Sequence, residues 1–276
     1  MRDLIIGYHP DINTMMVIVN IMYNLTIVQN IFGPSKKVLN GLPNAVTIEE
    51  MDEDSFFNAQ NYKEKIKRFV EVCSSWNIKR ASILLDKSFN SYTPSAKVLR
   101  EFGFELYAAK IEVFREIMNI ETPKKQYDFR SIDEGTLSEK EFKLLWERCM
   151  SGSDNKSSIL NIDEHFYSIQ TELGEGWKKA CIVFCEKNKP IGISIPHIEP
   201  GTKDEGRLFY FGLLPEERGK GLSIHIHLQS LYMLKQMGAT YYIGSTHMIN
   251  EKMKKIFWKN GCSIRTETEL HCKIFK

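Results

Sequence analysis

Apolar and polar positions divide the chain into two parts, the second with the clearer pattern. From Tyr127 to Ile132 they alternate as in a strand. Ser138 followed by Glu141 has the form of a capping box, and the helix it opens carries Phe142, Leu144, Leu145 and Trp146. A polar loop, Ser151 to Ser158, follows, and Asn161 with Glu164 opens a helix to about Leu173. Ala180 to Glu186 and Ile191 to Ile198 read as strands around a turn at Asn188-Lys189-Pro190. Leu208 to Leu214 is a further strand, ended by Pro215. Leu222, Ile226, Leu231, Leu234 and Met237 then recur near helical spacing up to Gly238, a natural helix stop. Thr240 to Ser245 reads as a strand, Asn250 to Asn260 as a helix with Gly261 past its end, and Cys262 to Phe275 as two tightly joined strands. The order β-α-α-β-β-β-α-β-α-β-β predicts an α/β (α+β) fold: a mixed, partly parallel central sheet flanked by helices.

The first part repeats a piece of the second. Lys63 to Trp76 is helical, with Ile66, Phe69, Val70 and Val72 apolar. Ala81 to Leu85 is a strand, Pro94 to Phe102 a helix ended by Gly103, and Phe104 to Phe114 a strand. That order matches Leu222 to Ile274, so an internal duplication is expected. A polar stretch with Pro123 predicts a linker at 119–126, dividing domains 1–118 and 127–276. Met15 to Phe32 is apolar enough to raise the question of a membrane span. Asn20, Asn24, Gln29 and Asn30 interrupt it, so buried strand or helix is expected instead.

Composition narrows the classes. With 37 basic and 35 acidic residues, bulk charge favours neither nucleic acid nor a membrane surface as partner. A chain of 276 residues is long enough to bury a sizeable core without staples. None of the six cysteines has zinc-finger spacing, and Cys181 and Cys185 read as core thiols, which suits a reducing compartment. Met1-Arg2-Asp3 lacks signal-peptide features, so a cytoplasmic protein is expected. His225 and His227 point different ways on a helix, and no metal site is expected.

The chemistry concentrates in 208–223, Leu-Phe-Tyr-Phe-Gly-Leu-Leu-Pro-Glu-Glu-Arg-Gly-Lys-Gly-Leu-Ser. A strand runs through a glycine-bearing turn into a long helix, an arrangement that binds anions through main-chain N–H groups and the helix dipole. Gly219 and Gly221 let the backbone approach a phosphate, and Arg218 and Lys220 add charge. A P-loop is excluded because six residues separate Gly212 from Gly219 and Gly221 follows Lys220. A dinucleotide fingerprint is excluded because Ile224 stands where its third glycine belongs. The turn instead resembles the acetyl-CoA turn of the GNAT acetyltransferase superfamily, Gln/Arg-x-x-Gly-x-Gly/Ala. Here it reads Arg218-Gly219-Lys220-Gly221-Leu222-Ser223, with Ser223 replacing the usual final Gly or Ala. The superfamily's second signature is an Asn after the next strand, then a helix ending in an aromatic, a basic residue and Gly. Asn250, Phe257, Lys259 and Gly261 resemble it. The likeness covers 127–276.

That resemblance implies an N-acyltransferase in which an amine of a small molecule or peptide attacks the thioester of acetyl-CoA or another acyl-CoA directly. The pantetheine would add to the strand edge near Leu213 and Leu214, the pyrophosphate would sit on the amides of Gly219 to Ser223, and Asn250 would hold the pantetheine arm. Phe257 falls where the superfamily often has an acidic Tyr, and its ring is expected to pack on the pantetheine instead. The remaining acid–base candidates are His247, Tyr210 and Glu205. Tandem GNAT proteins such as mycothiol synthase resemble the two-part layout. The first part is therefore expected to be a smaller, degenerate GNAT-like domain, and the protein a monomer or homodimer. The alternative class is a non-catalytic acyl-CoA-binding or interaction module.

Overall fold

The computed structural model describes residues 24–34, 36–50, 57–154 and 160–275, so 15–23 of the apolar N-terminal stretch and 155–159 of the polar loop lie outside it. Two compact units emerge: Met1–Ala109 with Glu267–Lys276, and Lys110–Thr266. Among the described residues no helix is long and apolar enough to cross a membrane.

The first unit opens with helix α1 (Leu25–Phe32), where the Asn24 side chain accepts from the Thr26 N–H and Val28, Ile31 and Phe32 turn inward. An antiparallel hairpin follows, β1 (Lys36–Gly41) and β2 (Ala45–Glu50), then α2 (Ala59–Ser75), β3 (Arg80–Asp86), α3 (Tyr92–Glu101) and β4 (Glu105–Glu116). Strand β2 runs parallel to β3, and the other edge of β3 pairs antiparallel with Thr268 to Ile274 of β10 (Ser263–Ile274). The two strands expected between Cys262 and Phe275 are therefore one. Ser263 to Ile274 holds no Gly, Pro or Asn to turn the chain. Ile66, Phe69, Ile83, Leu85 and Leu99 fill the core, with Phe32 edge-on to Phe69 at 5.3 Å.

The second unit contains β5 (Asp128–Ser131), α4 (Glu139–Met150), α5 (Ile162–Leu173), α6 (Trp177–Ala180), β6 (Ile182–Glu186), β7 (Lys189–Ile198), β8 (Glu205–Leu213), α7 (Leu222–Gln236), β9 (Tyr241–His247) and α8 (Glu251–Lys259). Its strands lie in the order β5-β6-β7-β8-β9-β4, the last through residues 110–116. All neighbours are antiparallel except β8 and β9, which α7 joins as a crossover. Asn161 and Glu164 form a reciprocal capping box. At Ser138 only half of one forms, because the Glu141 carboxylate pairs with Arg130 at 3.2 Å. Helices α4 and α5 cover one part of the core through Phe142, Trp146 and Phe166. Leu231, Leu234 and Phe257 of α7 and α8 join a second with Val113 and Tyr242. All six cysteines are buried free thiols.

Candidate active site

Past β8, Pro215–Glu217 forms a short 3-10 turn. Gly219 and Gly221 follow with φ of +77° and +74°, the left-handed region that side-chain-bearing residues avoid. A Cβ at either would meet nothing within 4 Å, so the space before the turn is open. Gly221 caps α7 without offering a side chain, and among the described residues no side-chain cap bond is made to the first turn. The result is an open helix start with the positive end of its dipole at the mouth.

Strands β8 and β9 pair only through Glu205 to Arg207 and Tyr241 to Ile243. From Leu208 onward, among the described residues, β8 has β7 alone as a strand partner, and no strand covers its other edge. A cleft of about 440 Å³ runs along that edge, closed by the glycine turn, the start of α7, the face of α8 and the loop after α4. Opposite the single residue Ile195, β8 places two, Phe209 and Tyr210, between the Ser194–Phe211 and Pro196–Leu208 pairs. This bulge turns both rings toward Trp146, at 6.3 and 5.5 Å, while Phe211 points the other way, to His227 at 5.3 Å. Tyr210 reaches the cleft as a result.

No protein-family model and no curated protein matches this sequence. Solved structures do match. A GCN5-related N-acetyltransferase from Sphaerobacter thermophilus aligns with a TM-score of 0.67 at 12% identity, over 87% of this chain and 76% of its own. A tandem GNAT protein from the clavulanic acid biosynthesis pathway gives 0.57 at 10%, over 90% and 86%. A GCN5-related N-acetyltransferase from Kribbella flavida gives 0.56 at 12%, over 84% and 82%. The chain has the GNAT fold. At such identities the likeness is one of fold.

Within this GNAT fold the residues singled out from sequence take different places. Gly219, Gly221, Ser223, Leu213, Arg218 and Asn250 line the cleft. Asn250 does so as the N-cap of α8, accepting from the Met253 N–H at 2.9 Å. Lys220 and the cleft-lining Arg218 are already engaged. Lys220 pairs with Glu217 at 2.8 Å, and the Arg218 guanidinium donates to the carbonyls of Leu213, Cys149 and Gly152 at 3.2, 2.9 and 3.1 Å. Arg218 is a clamp tying the turn to the end of α4 rather than an idle charge. The Leu214 N–H donates to Ile191 O and so faces β7, whereas Leu213 lines the cleft with Tyr210, Phe211 and Gly212, its carbonyl accepting from Arg218.

Leu222, Leu214 and Phe257 are core residues outside the lining. Phe257, 1% exposed, packs against His227 at 5.6 Å, which removes the expected stacking on a pantetheine arm. Met253 and Ile256, on the adjacent face of α8, line the cleft instead, with Lys252 and Lys255. Those two lysines, three apart on one helix face, were a readable but missed signal. His247 ends β9 opposite Lys110 and does not line the cleft. Glu205 sits where β8 and β9 are still paired. It accepts from Tyr241 OH at 3.1 Å and pairs with Arg207 at 2.5 Å.

Of the three acid–base candidates, Tyr210 alone reaches the cleft. Burial, with the Cys149 thiol behind it, pushes its phenol above the ordinary range, so it stays protonated and donates. Burial likewise pushes the Cys149 thiol up to about 12. Away from the cleft, Glu172, His197 and Glu199 bring ligand atoms within 4.8 Å of one another, but Arg207 lies 3.4 Å from Glu199 as a ready counter-charge.

Arg218→Lys should lose the three-carbonyl clamp, since an ammonium cannot span the fork of a guanidinium. The expected result is a fall in acetyl-CoA affinity of about tenfold with a small loss of stability, measured by calorimetry and thermal denaturation. Unchanged affinity would mean that the turn holds its shape without the clamp.

Proposed function

We propose that this protein is an acyl-CoA-dependent N-acyltransferase acting on the amine of a small molecule or peptide. The uncovered β8 edge running into an open glycine turn carries the reading, because it offers main-chain groups for an extended amide arm and anion-binding amides at its end. The donor thioester, when bound, supplies the activated acyl group. Gly219, Gly221 and Ser223 would hold its pyrophosphate, and Tyr210 to Leu213 its amide arm. Tyr210 would donate a hydrogen bond to the departing thiolate. A free thiol titrates near 8.5, below a tyrosine raised above its usual range of about 10, so the bond stabilises the thiolate without full proton transfer. Asp154, the carboxylate lining the cleft, is paired with Lys252 at 3.0 Å. The acceptor would then lose its proton to solvent, and kcat/KM should follow its neutral fraction. Beside Tyr210, buried Trp146 Nε1 and His165 Nε2 have no hydrogen-bond partner among the described residues.

Acetyl-CoA turnover across a panel of amines tests this. Tyr210→Phe should lower kcat about tenfold and leave acetyl-CoA affinity within about twofold. An unchanged kcat would remove Tyr210 from the chemistry. Binding without turnover on any amine would favour the non-catalytic module, a reading that the engaged Glu205 and the inert Phe257 support.

The first unit is proposed as a degenerate GNAT-like repeat. Its β2-α2-β3-α3-β4 follows the order of β8-α7-β9-α8-β10, and β2 pairs parallel with β3 as β8 does with β9. Gly103 and Gly261 close the equivalent helices at φ of +78° and +68°. The link from β2 to α2 lacks glycine and carries Asp52, Glu53 and Asp54, charges that repel phosphate. One acetyl-CoA per chain is therefore expected by calorimetry, and two would refute the assignment.

A further inference from the structure

A second cavity, of about 460 Å³, lies one face further around α7. Ile224 lines the cleft, whereas its neighbour His225 lines this cavity with Leu228. The end of β4 and the segment after it complete the wall, contributing Arg115, Lys124, Lys125 and Glu121. Three cations against one carboxylate leave +2 before His225 is counted.

Arg115 is the anchor. Its guanidinium is half-buried and donates to the Asn260 carbonyl, and burial holds it below its usual range. Among the described residues neither Arg115, Lys124 nor Lys125 makes a salt bridge. Lys125 stands over the Tyr127 ring at 5.0 Å. A partly desolvated guanidinium without a counter-ion is unfavourable, and an anion in the cavity would relieve it.

We propose that this cavity binds a phosphate monoester. At neutral pH such a group carries about −1.5 to −2 charge and three acceptor oxygens, which match the net charge and the set of one guanidinium fork, two ammonium groups and an imidazole. A lone carboxylate would leave the cavity positive. Two sources share this chemistry: the 3′-phosphate of the acyl donor, which rests on the acyltransferase reading, and a separate phosphorylated metabolite, which does not.

Calorimetric titration of the full chain with inorganic phosphate at low salt tests the site. Saturable binding is expected, weakened about tenfold in Lys124→Ala/Lys125→Ala and in Arg115→Gln, and weakened by added salt. Absence of saturable binding to the wild type, or equal affinity in both variants, overturns the proposal. CoA and dephospho-CoA then separate the sources. An affinity gap of about tenfold that disappears in the double-lysine variant assigns the cavity to the donor's 3′-phosphate. Equal affinities, with phosphate still binding alongside CoA, assign it to a separate ligand. If neither CoA form binds, the acyltransferase reading fails while the phosphate titration still decides the cavity.

Discussion

Gly221→Val should reduce acetyl-CoA affinity by at least about 100-fold, equivalent to about 2.7 kcal/mol, and leave the chain folded. Gly221 holds φ +74° as the N-cap of α7. A β-branched side chain there costs a few kcal/mol of strain at most if the backbone stays put. A Cβ would meet nothing within 4 Å, so the protein tolerates the added bulk, but the isopropyl group would stand where a phosphate must approach the amides. Gly238→Val supplies the control. Its φ of +102° and equally open surroundings impose comparable strain at the far end of the same helix, away from the cleft. Calorimetry should find acetyl-CoA binding intact in that variant. Affinities within threefold of wild type in Gly221→Val would mean that the turn does not bind the donor.

The glycine turn was legible because its chemistry is local: glycine at left-handed positions, a strand before it and a helix after it. Facing was not. Phe257 and His247 stood at suggestive spacings, but which side of a helix or strand meets the cleft depends on what packs behind it. His227 and Tyr242 draw Phe257 into the core. The bulge at Phe209 and Tyr210 leaves no mark in Leu-Phe-Tyr-Phe-Gly, because it arises from a register shift against β7. The β1–β2 hairpin could have been read from the turn residues of Asn40-Gly41-Leu42-Pro43-Asn44 between two apolar runs. The allocation of Glu267–Lys276 to the first unit could not. It depends on pairing with β3, some 180 residues earlier, and strand periodicity alone does not choose among distant partners.

His227 should make the protein acid-labile. It is fully buried on α7, ringed by Phe211, Tyr242 and Phe257 at 5.3 to 5.6 Å. Asn260 donates to its Nδ1 at 3.0 Å, so the proton of the neutral ring sits on Nε2, 3.4 Å from Tyr242 OH. Asn260 also donates to Ile224 O, so this histidine helps hold the first turn of α7, and with it the cleft, to the end of α8. Burial, reinforced by the Arg115 charge, pushes the imidazole down to about 3. An unfolded histidine titrates near 6.5. Because the folded value is the lower one, the unfolded chain binds the proton first as pH falls. The stability is therefore fully present above about pH 6.5 and is lost progressively toward pH 3. At about 1.4 kcal/mol per pH unit, moving from pH 7 to pH 5 should remove about 2 kcal/mol, or roughly 4–8 °C in Tm. His165 and His271 are also held low by burial and act in the same direction, so the measurement is a difference. His227→Gln keeps a side-chain amide toward Asn260 but cannot titrate. It should be less stable than wild type at pH 7, and its Tm should fall less steeply between pH 7 and pH 5. Parallel pH profiles for the two proteins would show that His227 is not carried neutral in the folded core.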